Sequence, residues 1–308
     1  MAAASPSGAC LACGGPLARE PTLSSRDFMH GVPGRFEIYS CSRCGSGATF
    51  PPAGPAEIAS FYAGDYAPHA MPRGPLALLM GALQRGRNRR FPLAELVGEK
   101  PGTLLDVGCG RGDLLASWIP SGWEAVGVEP SAEACEVARA RGVRALAGTL
   151  DTVTLEPGSV DAAVFRHTLE HVVDPGLDLR RVHAALRPGG RLAVIVPNWG
   201  SWQRRAFGAH WFPLELPRHR THFTAAGLHA ALEAAGYKDV VVRPATPFIT
   251  TTWSLQLLLF NRCLTTRGAA LWAGYLASAP IALLAAPLDA LLGGGDFLHA
   301  AARKPAAG

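Results

Sequence analysis

The sequence predicts an α/β fold in which helices cover both faces of a mainly parallel sheet. From Gly102 onward, short apolar runs typical of strands alternate with stretches typical of helices, an order that favours repeated βα units. The first apolar run leads into a turn with glycines at alternate positions, Gly108, Gly110 and Gly112. Because glycine lets the main chain pass close to a ligand, the sequence predicts a Rossmann-like binding loop here.

The strands and helices of this core follow from local patterns. The runs TLLDVG, WEAVGVEP, VRALAG, VDAAVFR and RLAVIVP are short and apolar, as expected for buried strands. SAEACEVARARG predicts a helix with Ser131 as its N-cap and Gly142 as its stop signal. LDLRRVHAAL predicts a further helix that ends at RPGG.

Composition limits the class of protein. The chain has 308 residues, of which 48% are hydrophobic and 17% charged, so a disordered or collagen-like chain is excluded. The segment MAAASPSGAC lacks a basic region followed by an apolar one, so we expect no signal peptide and a cytoplasmic location. The net charge of +5 is modest and base-flipping motifs are absent from the sequence, which disfavours nucleic acid as a partner.

Residues 1–55 are predicted to form a zinc-ribbon-like segment. Its candidate metal ligands are two Cys-x-x-Cys pairs, Cys10 with Cys13 and Cys41 with Cys44, and each pair is followed by glycine. Four thiolates in two such pairs can close a tetrahedral zinc site. A closed site leaves no position for a reacting molecule, so the expected role is structural or docking.

The remaining division of the chain follows changes in composition. Residues 56–100 predict a helical cap, which would either cover the cleft or lie on a membrane surface, and residues 101–245 form the α/β core. Residues 246–294 are strongly apolar and predict a helical hairpin inserted before a final strand and tail at 295–308. The hairpin could dip into a membrane, pack on the domain or form a dimer contact.

The pattern Asp106-x-Gly-x-Gly-x-Gly, followed by Glu129 at the end of the next strand, resembles the signature of class I S-adenosylmethionine-dependent methyltransferases. The resemblance continues through VDAAVFRHTLEHVVDP, ALRPGGRLAVIVPN and PRHRTHFTAAGLHAALEAAGY, which are similar to segments of the branch that contains the ubiquinone-biosynthesis O-methyltransferases. It runs from about Gly102 to Pro244, with weaker similarity at GGGDFLHAAARK. The resemblance implies that GDFLHAAARK supplies the last strand, beside the fifth strand and the sixth, YKDVVVRP.

The resemblance also implies that S-adenosyl-L-methionine is the cofactor. Asp106 and the three glycines would surround its methionine part, Glu129 would hold the ribose, and Thr149 would lie near the adenine with Asp151 close by. The predicted cofactor-binding set is Asp106, Gly108, Cys109, Gly110, Gly112, Glu129, Pro130, Thr149 and Arg166.

The stretch RHTLEHVVDP contains His167, Glu170 and His171 in the order H-x-x-E-H, which is also the zinc-binding string of inverted metallopeptidases. Pro175 follows within four residues of His171, too soon for the long helix that a peptidase needs. If the stretch is helical, the three side chains share one face at the rim of the cleft. Three interpretations remain open: hydrogen bonds that hold the loop, a general base or acceptor contact at His167 or His171, and a divalent metal site formed by the trio.

His219 and His222 follow the fifth strand, in the region expected for an acceptor lid. His219 is the candidate for substrate contact, and the alternative is a histidine that caps the helix starting near Thr224. The candidate catalytic residues are therefore His167, His171 and His219.

Together these features predict a methyltransferase that methylates an oxygen of a small-molecule or lipid-linked acceptor. The alternative is a non-catalytic protein of the same fold that recruits a membrane or a partner. The intact glycine loop and Glu129 favour the enzyme. Region 246–294 is the candidate for a peripheral contact with the cytoplasmic face of the membrane.

Overall fold

The described residues form two β-sheets. The computed structural model describes residues 8–29, 31–54, 57, 100–245, 249–261, 292 and 294–306. The strands are β1 Leu23–Ser25, β2 Phe36–Ser40, β3 Gly47–Phe50, β4 Thr103–Val107, β5 Glu124–Glu129, β6 Arg144–Ala147, β7 Val160–Arg166, β8 Leu186–Pro197, β9 Thr221–His222, β10 Lys238–Ala245 and β11 Phe297–Arg303. The α-helices are α1 Asp113–Ala116, α2 Ala132–Arg139, α3 Pro175–Ala185, α4 Trp202–Phe207, α5 Ala225–Ala234 and α6 Ile249–Phe260.

The larger sheet has seven strands in the order β10-β11-β8-β7-β4-β5-β6. The five strands from β8 to β6 in that order pair in parallel, and β11 runs antiparallel between β8 and β10. The predicted α/β sheet is therefore confirmed, including the return of the last strand beside the fifth and sixth strands of the core. The carboxyl ends of β4, β5 and β7 lie along one edge, where open α/β sheets bind their ligands.

The predicted helix starts are confirmed by their capping hydrogen bonds. Ser131 Oγ accepts the main-chain N–H of Ala134 at 3.2 Å at the start of α2. Thr224 Oγ1 accepts the N–H of Gly227 at 3.1 Å at the start of α5. The start of one strand differs from expectation. The predicted strand RLAVIVP begins at Arg191, whereas β8 begins at Leu186 and includes RPGG. Gly189 takes φ +78° there, within an irregular stretch of the β7–β8 register.

The smaller sheet joins the ribbon to the core. Its order is β1-β2-β3-β9, all antiparallel, and β9 comes from the core, more than 170 residues after β3. Gly47 pairs with His222 and Ala48 with Thr221. The predicted segment 1–55 therefore contributes strands to a sheet that it shares with the core.

Two predicted regions fall largely outside the described residues. Of the helical cap at 56–100, only Glu57 and Lys100 are described. Of the apolar hairpin at 246–294, the description covers 249–261, 292 and 294, and it includes α6. Among the helices that the structure describes, none combines the length and the apolar character needed to cross a bilayer.

Candidate active site

The glycine loop follows β4 and forms one wall of the candidate site. Gly108, Gly110 and Gly112 have φ values of +77°, +53° and +75°, a region that favours glycine. A Cβ atom on Gly108 would lie 2.4 Å from Thr168 Oγ1, so no side chain fits between the two loops. The loop after β4 and the loop after β7 therefore touch, at the edge of the sheet where open α/β sheets bind their ligands.

Glu129 is held in place by main-chain donors. Its Oε2 accepts the N–H of Gly110 at 3.0 Å, and its Oε1 accepts the N–H of Ser131 at 2.9 Å. The carboxylate is buried, yet it lies at the end of β5 on the ligand-binding edge. Its orientation is thus fixed by the protein, as a group that accepts two hydroxyl protons requires. Pro130 follows it and is exposed.

Asp106 lies in β4 beneath the glycine loop. It is 2% exposed, and Oδ1 has no hydrogen-bond partner within the described part of the chain. The pKa of Asp106 is raised to about 7. Burial is the main cause, Arg166 opposes it, and the negative charge of Glu129 adds to it. A buried carboxyl group of this kind gains most from a cationic ligand, because the cation restores its ionised form.

The other predicted cofactor-binding residues differ in which of their atoms a ligand could reach. The side chain of Cys109 is buried against Gly127, where an added Cβ would lie 2.4 Å from its Sγ, so Cys109 can offer a ligand only its main chain. Thr149 is exposed, and its N–H donates to Thr152 Oγ1 at 3.0 Å. Asp151, the nearest acidic residue, pairs with Arg181.

The stretch after β7 is a turn, so the helical face expected for the histidine motif is absent. Residues 169–171 form the turn, with the N–H of His171 donating to the carbonyl of Thr168 at 3.0 Å. His167 takes φ +56°, an uncommon conformation for a residue with a side chain. Its side chain is 46% exposed and its Nδ1 lies 3.7 Å from Glu170 Oε1. His167 therefore lies half exposed just after the carboxyl end of β7, without sharing a helix with Glu170.

Glu170 and His171 form a cluster with a third residue, His219. Glu170, His171 and His219 each place a potential ligand atom within 4.8 Å of the others. His219 Nε2 lies 3.9 Å from Glu170 Oε1, and the rings of His171 and His219 meet edge to face at 4.5 Å. Among the described residues, the potential ligand atoms therefore group Glu170 and His171 with His219, from the loop before β9, and not with His167.

Burial dominates the electrostatics of this trio. Burial raises the pKa of Glu170 to about 7, against the opposing effect of His171. The pKa of His219 is held well below its ordinary value, first by burial and then by His171 and His222. Burial also lowers the pKa of His171, against the attraction of Glu170. Two neutral imidazoles therefore face a buried carboxyl group, and His219 is a weak base.

Comparison with known proteins identifies the fold family. A model of the family described as methyltransferase domain matches residues 79–242, more than half of the 308 residues. The chain belongs to the class I S-adenosylmethionine-dependent methyltransferases.

Curated relatives are consistent with this family assignment. An uncharacterized methyltransferase of Mycobacterium tuberculosis is 36% identical over 120 residues, which cover 38% of this chain and 49% of the relative. A ubiquinone biosynthesis O-methyltransferase of Nitrobacter winogradskyi is 34% identical over 122 residues, 37% of this chain and 47% of the relative. The chain thus spans about half the length of these curated relatives.

The fold of the methyltransferase is also that of a solved enzyme. A phosphoethanolamine N-methyltransferase of Haemonchus contortus, in complex with S-adenosyl-L-methionine, superposes with a TM-score of 0.51 at 19% identity, over 71% of this chain and 52% of that one. An S-adenosylmethionine-dependent methyltransferase of Archaeoglobus fulgidus superposes with a TM-score of 0.50 at 19% identity, over 73% and 94%.

The four cysteines of the N-terminal segment lie close together, as the two Cys-x-x-Cys pairs predicted. Cys10 Sγ lies 3.7 Å from Cys44 Sγ, Cys13 Sγ lies 3.6 Å from Cys41 Sγ, and all four sulfur atoms lie within 4.8 Å of one another. Sulfur atoms about 3.8 Å apart are expected around a tetrahedral ion with Zn–S distances of about 2.3 Å. The arrangement is compatible with zinc.

Sequence reasoning missed the residues that fix the loop carrying His219. Arg218 is fully buried and its side chain pairs with Asp27 at 3.4 Å and with Glu215 at 3.4 Å. Thr49 Oγ1 donates to the carbonyl of His219 at 2.7 Å. Asp27 and Thr49 belong to the ribbon, 191 and 170 positions away, so no local pattern indicated either contact.

Proposed function

We propose that the protein transfers a methyl group from S-adenosyl-L-methionine to an oxygen of a small-molecule or lipid-linked acceptor. The observation that carries the proposal is the pair of main-chain hydrogen bonds that fix Glu129 beside the glycine loop. They orient a carboxylate where the ribose of the cofactor is expected, while Asp106 lies beneath the loop with an unsatisfied oxygen. These groups match a ligand that carries hydroxyls and positive charge.

The cofactor, when bound, supplies a methyl group already activated by a positive sulfur. The protein therefore contributes alignment and exclusion of water, which together supply up to about 7–11 kcal/mol in favourable cases. Glu129 would accept the ribose hydroxyls and Asp106 would face the cationic methionine end. Arg166, which opposes the raised pKa of Asp106, would help to keep that carboxyl group ionised.

The proton of an acceptor hydroxyl would pass to His167. This side chain is half exposed at the rim of the cleft, and Glu170 Oε1 lies 3.7 Å from its Nδ1, close enough to stabilise the protonated ring. His219 suits the task less well, because it is 4% exposed and burial holds its pKa well below the ordinary value. Such a base contributes about 10²–10⁴-fold to rate.

The acceptor is proposed to be apolar or lipid-linked on two grounds. The relatives include proteins named ubiquinone biosynthesis O-methyltransferase. At the end of α6, Leu258, Leu259 and Phe260 are 48%, 70% and 51% exposed, so this apolar end of the helix faces outward. This helix belongs to the apolar region at 246–294. The region would bring the site to the cytoplasmic face of a membrane, the surface that a lipid-linked acceptor occupies.

The cysteine cluster is proposed to hold a structural zinc ion through Cys10, Cys13, Cys41 and Cys44. All four positions of a tetrahedral ion would be filled by thiolates, so this site would take no part in methyl transfer. Strand β3 of the same segment pairs with β9, which closely follows His219. The cysteine cluster would therefore support the loop that carries His219.

One labelling experiment distinguishes the proposed enzyme from the alternative, a non-catalytic protein that binds the cofactor or a partner. The full chain is incubated with methyl-labelled S-adenosylmethionine and either a lipid extract or a small-molecule extract. The expected result is label in an extracted product with the native chain and none with Gly110→Arg, which places a long cation in the glycine loop. Cofactor binding without label in either extract would support the alternative.

A further inference from the structure

The cluster of Glu170, His171 and His219 has the features of a metal site distinct from the four cysteines. It joins two loops that border the cleft, the turn after β7 and the loop before β9. The main chain reinforces the junction, because the carbonyl of Glu170 accepts the N–H groups of Arg220 at 2.9 Å and Thr221 at 3.1 Å. The two loops are therefore held in register by the protein itself.

Each histidine has one ring nitrogen engaged with a main-chain carbonyl. His219 Nδ1 lies 3.0 Å from the carbonyl of Pro213, and His171 Nδ1 lies 3.2 Å from the carbonyl of Arg218. A carbonyl only accepts, so each Nδ1 carries the proton and each Nε2 is the lone-pair nitrogen of the neutral ring. Histidines that ligate metals are commonly oriented in this way.

Glu170 supplies the carboxylate. It is 1% exposed, and both of its carboxylate oxygens are buried without a hydrogen-bond partner within the described residues. Its Oε1 lies 3.9 Å from His219 Nε2, too far for a hydrogen bond. Around an ion with ligand distances of about 2.1 Å, tetrahedral neighbours lie about 3.4 Å apart. The pair of Glu170 Oε1 and His219 Nε2 at 3.9 Å is close to this spacing, and the three potential ligand atoms of the cluster lie within 4.8 Å of one another. A purely structural cluster would instead be expected to close its hydrogen bonds.

We infer that Glu170, His171 and His219 bind a divalent transition-metal ion of the zinc class. Two imidazoles and one carboxylate suit Zn²⁺ and its neighbours better than Mg²⁺ or Ca²⁺, which prefer oxygen ligands. Three protein ligands leave a tetrahedral ion one further position. Of the residues around the cluster, His171 is partly buried and the neighbouring His167 is half exposed.

The open position defines a class of acceptor. A hydroxyl bound to the ion would lose its proton at a lower pH than in water, and this favours phenols or enols over simple alcohols. This role rests on the proposed function, whereas the binding of the ion does not. The two are tested separately, the ion by metal content and the function by transfer of label from methyl-labelled S-adenosylmethionine.

The test is the metal content of the full chain after saturation with Zn²⁺ and gel filtration. Glu170→Gln keeps the shape of the side chain and removes its charge, and His219→Gln removes one ligand nitrogen. Each variant is expected to hold one zinc equivalent fewer than the native chain, whatever the cysteine cluster retains. Unfolding curves confirm that each variant is folded, and Co²⁺ absorption of the same variants supplies a second measure of the lost site.

Two matched histidine variants serve as controls. His222→Gln changes a buried histidine whose ring lies 6.3 Å from that of His219, and His167→Gln changes the rim histidine. Both are expected to retain the full zinc content of the native chain. The inference is overturned if Glu170→Gln and the native chain hold equal zinc. It is also overturned if His167→Gln loses the ion while His219→Gln keeps it.

Discussion

Thr224 Oγ1 donates a hydrogen bond of 2.6 Å to the carbonyl oxygen of Cys44. The same hydroxyl caps α5 by accepting the N–H of Gly227, and the N–H of Thr224 donates to Ser46 Oγ at 3.1 Å. One side chain thus ties the second cysteine pair to the first turn of a core helix. The ribbon is therefore attached at the cap of α5 as well as through β3 and β9.

Thr224→Ala is expected to destabilise the protein by about 1–2 kcal/mol, because it removes a helix cap and a hydrogen bond to the ribbon. Urea unfolding of the full chain measures the loss. Thr224→Ser is the matched control, since it keeps the hydroxyl and should retain most of the stability. Equal unfolding free energies for the alanine variant and the native chain would contradict this attachment.

Glu129→Gln is expected to weaken binding of S-adenosylmethionine about 10–100-fold, because hydrogen bonds to a charged group contribute about 1.5–3 kcal/mol. Calorimetric titration gives the affinity. Glu124→Gln, at the exposed opposite end of β5, serves as the control and should bind like the native chain. If both variants bind equally well, the ribose contact is not at Glu129.

Asp106 predicts a pH dependence with a definite sign. Its pKa is raised from 3.8 to about 7 in the folded protein, mainly by burial, so the free protein loses stability as the pH rises through that interval. A cationic ligand favours the ionised carboxyl group, so the affinity for S-adenosylmethionine should increase from about pH 6 to about pH 8. Asp106→Asn should flatten this increase. A native affinity that is constant or falls over this range would contradict the role of Asp106.

His167→Gln is expected to lower turnover about 10²–10⁴-fold with an acceptor hydroxyl, because it removes the proposed base. The affinity for S-adenosylmethionine should change little, which separates a proton-transfer defect from a binding defect. The pH–rate profile of the native chain should lose its acid limb in the variant. An unchanged profile would exclude His167 as the base.

Much of the core could be predicted because its signals are local. The run before Gly108, the acidic end of β5 and the cap at Ser131 each lie within a few residues of the element they define. Hydrophobic period and capping chemistry indicate such elements from a few neighbouring residues.

The arrangement around Glu170 could not be predicted in the same way. His219 reaches Glu170 from 49 positions away, and the pairing of β3 with the two-residue strand β9 leaves no periodic pattern in the sequence. The spacing of the motif is compatible with a helix, but His167 has a positive φ and the stretch after it forms a turn. Long-range packing determines these features, so the spacing of the motif alone did not indicate that His219 lies beside Glu170 and His171.

The central claim, that the glycine loop of this chain binds S-adenosylmethionine, is tested most directly by calorimetric titration of the cofactor into the full chain. Saturable binding at one site per chain is expected, and it should be lost in Gly110→Arg, whose unfolding curve should remain cooperative. Absence of binding to the native chain, or equal binding by the native chain and the folded variant, would contradict it.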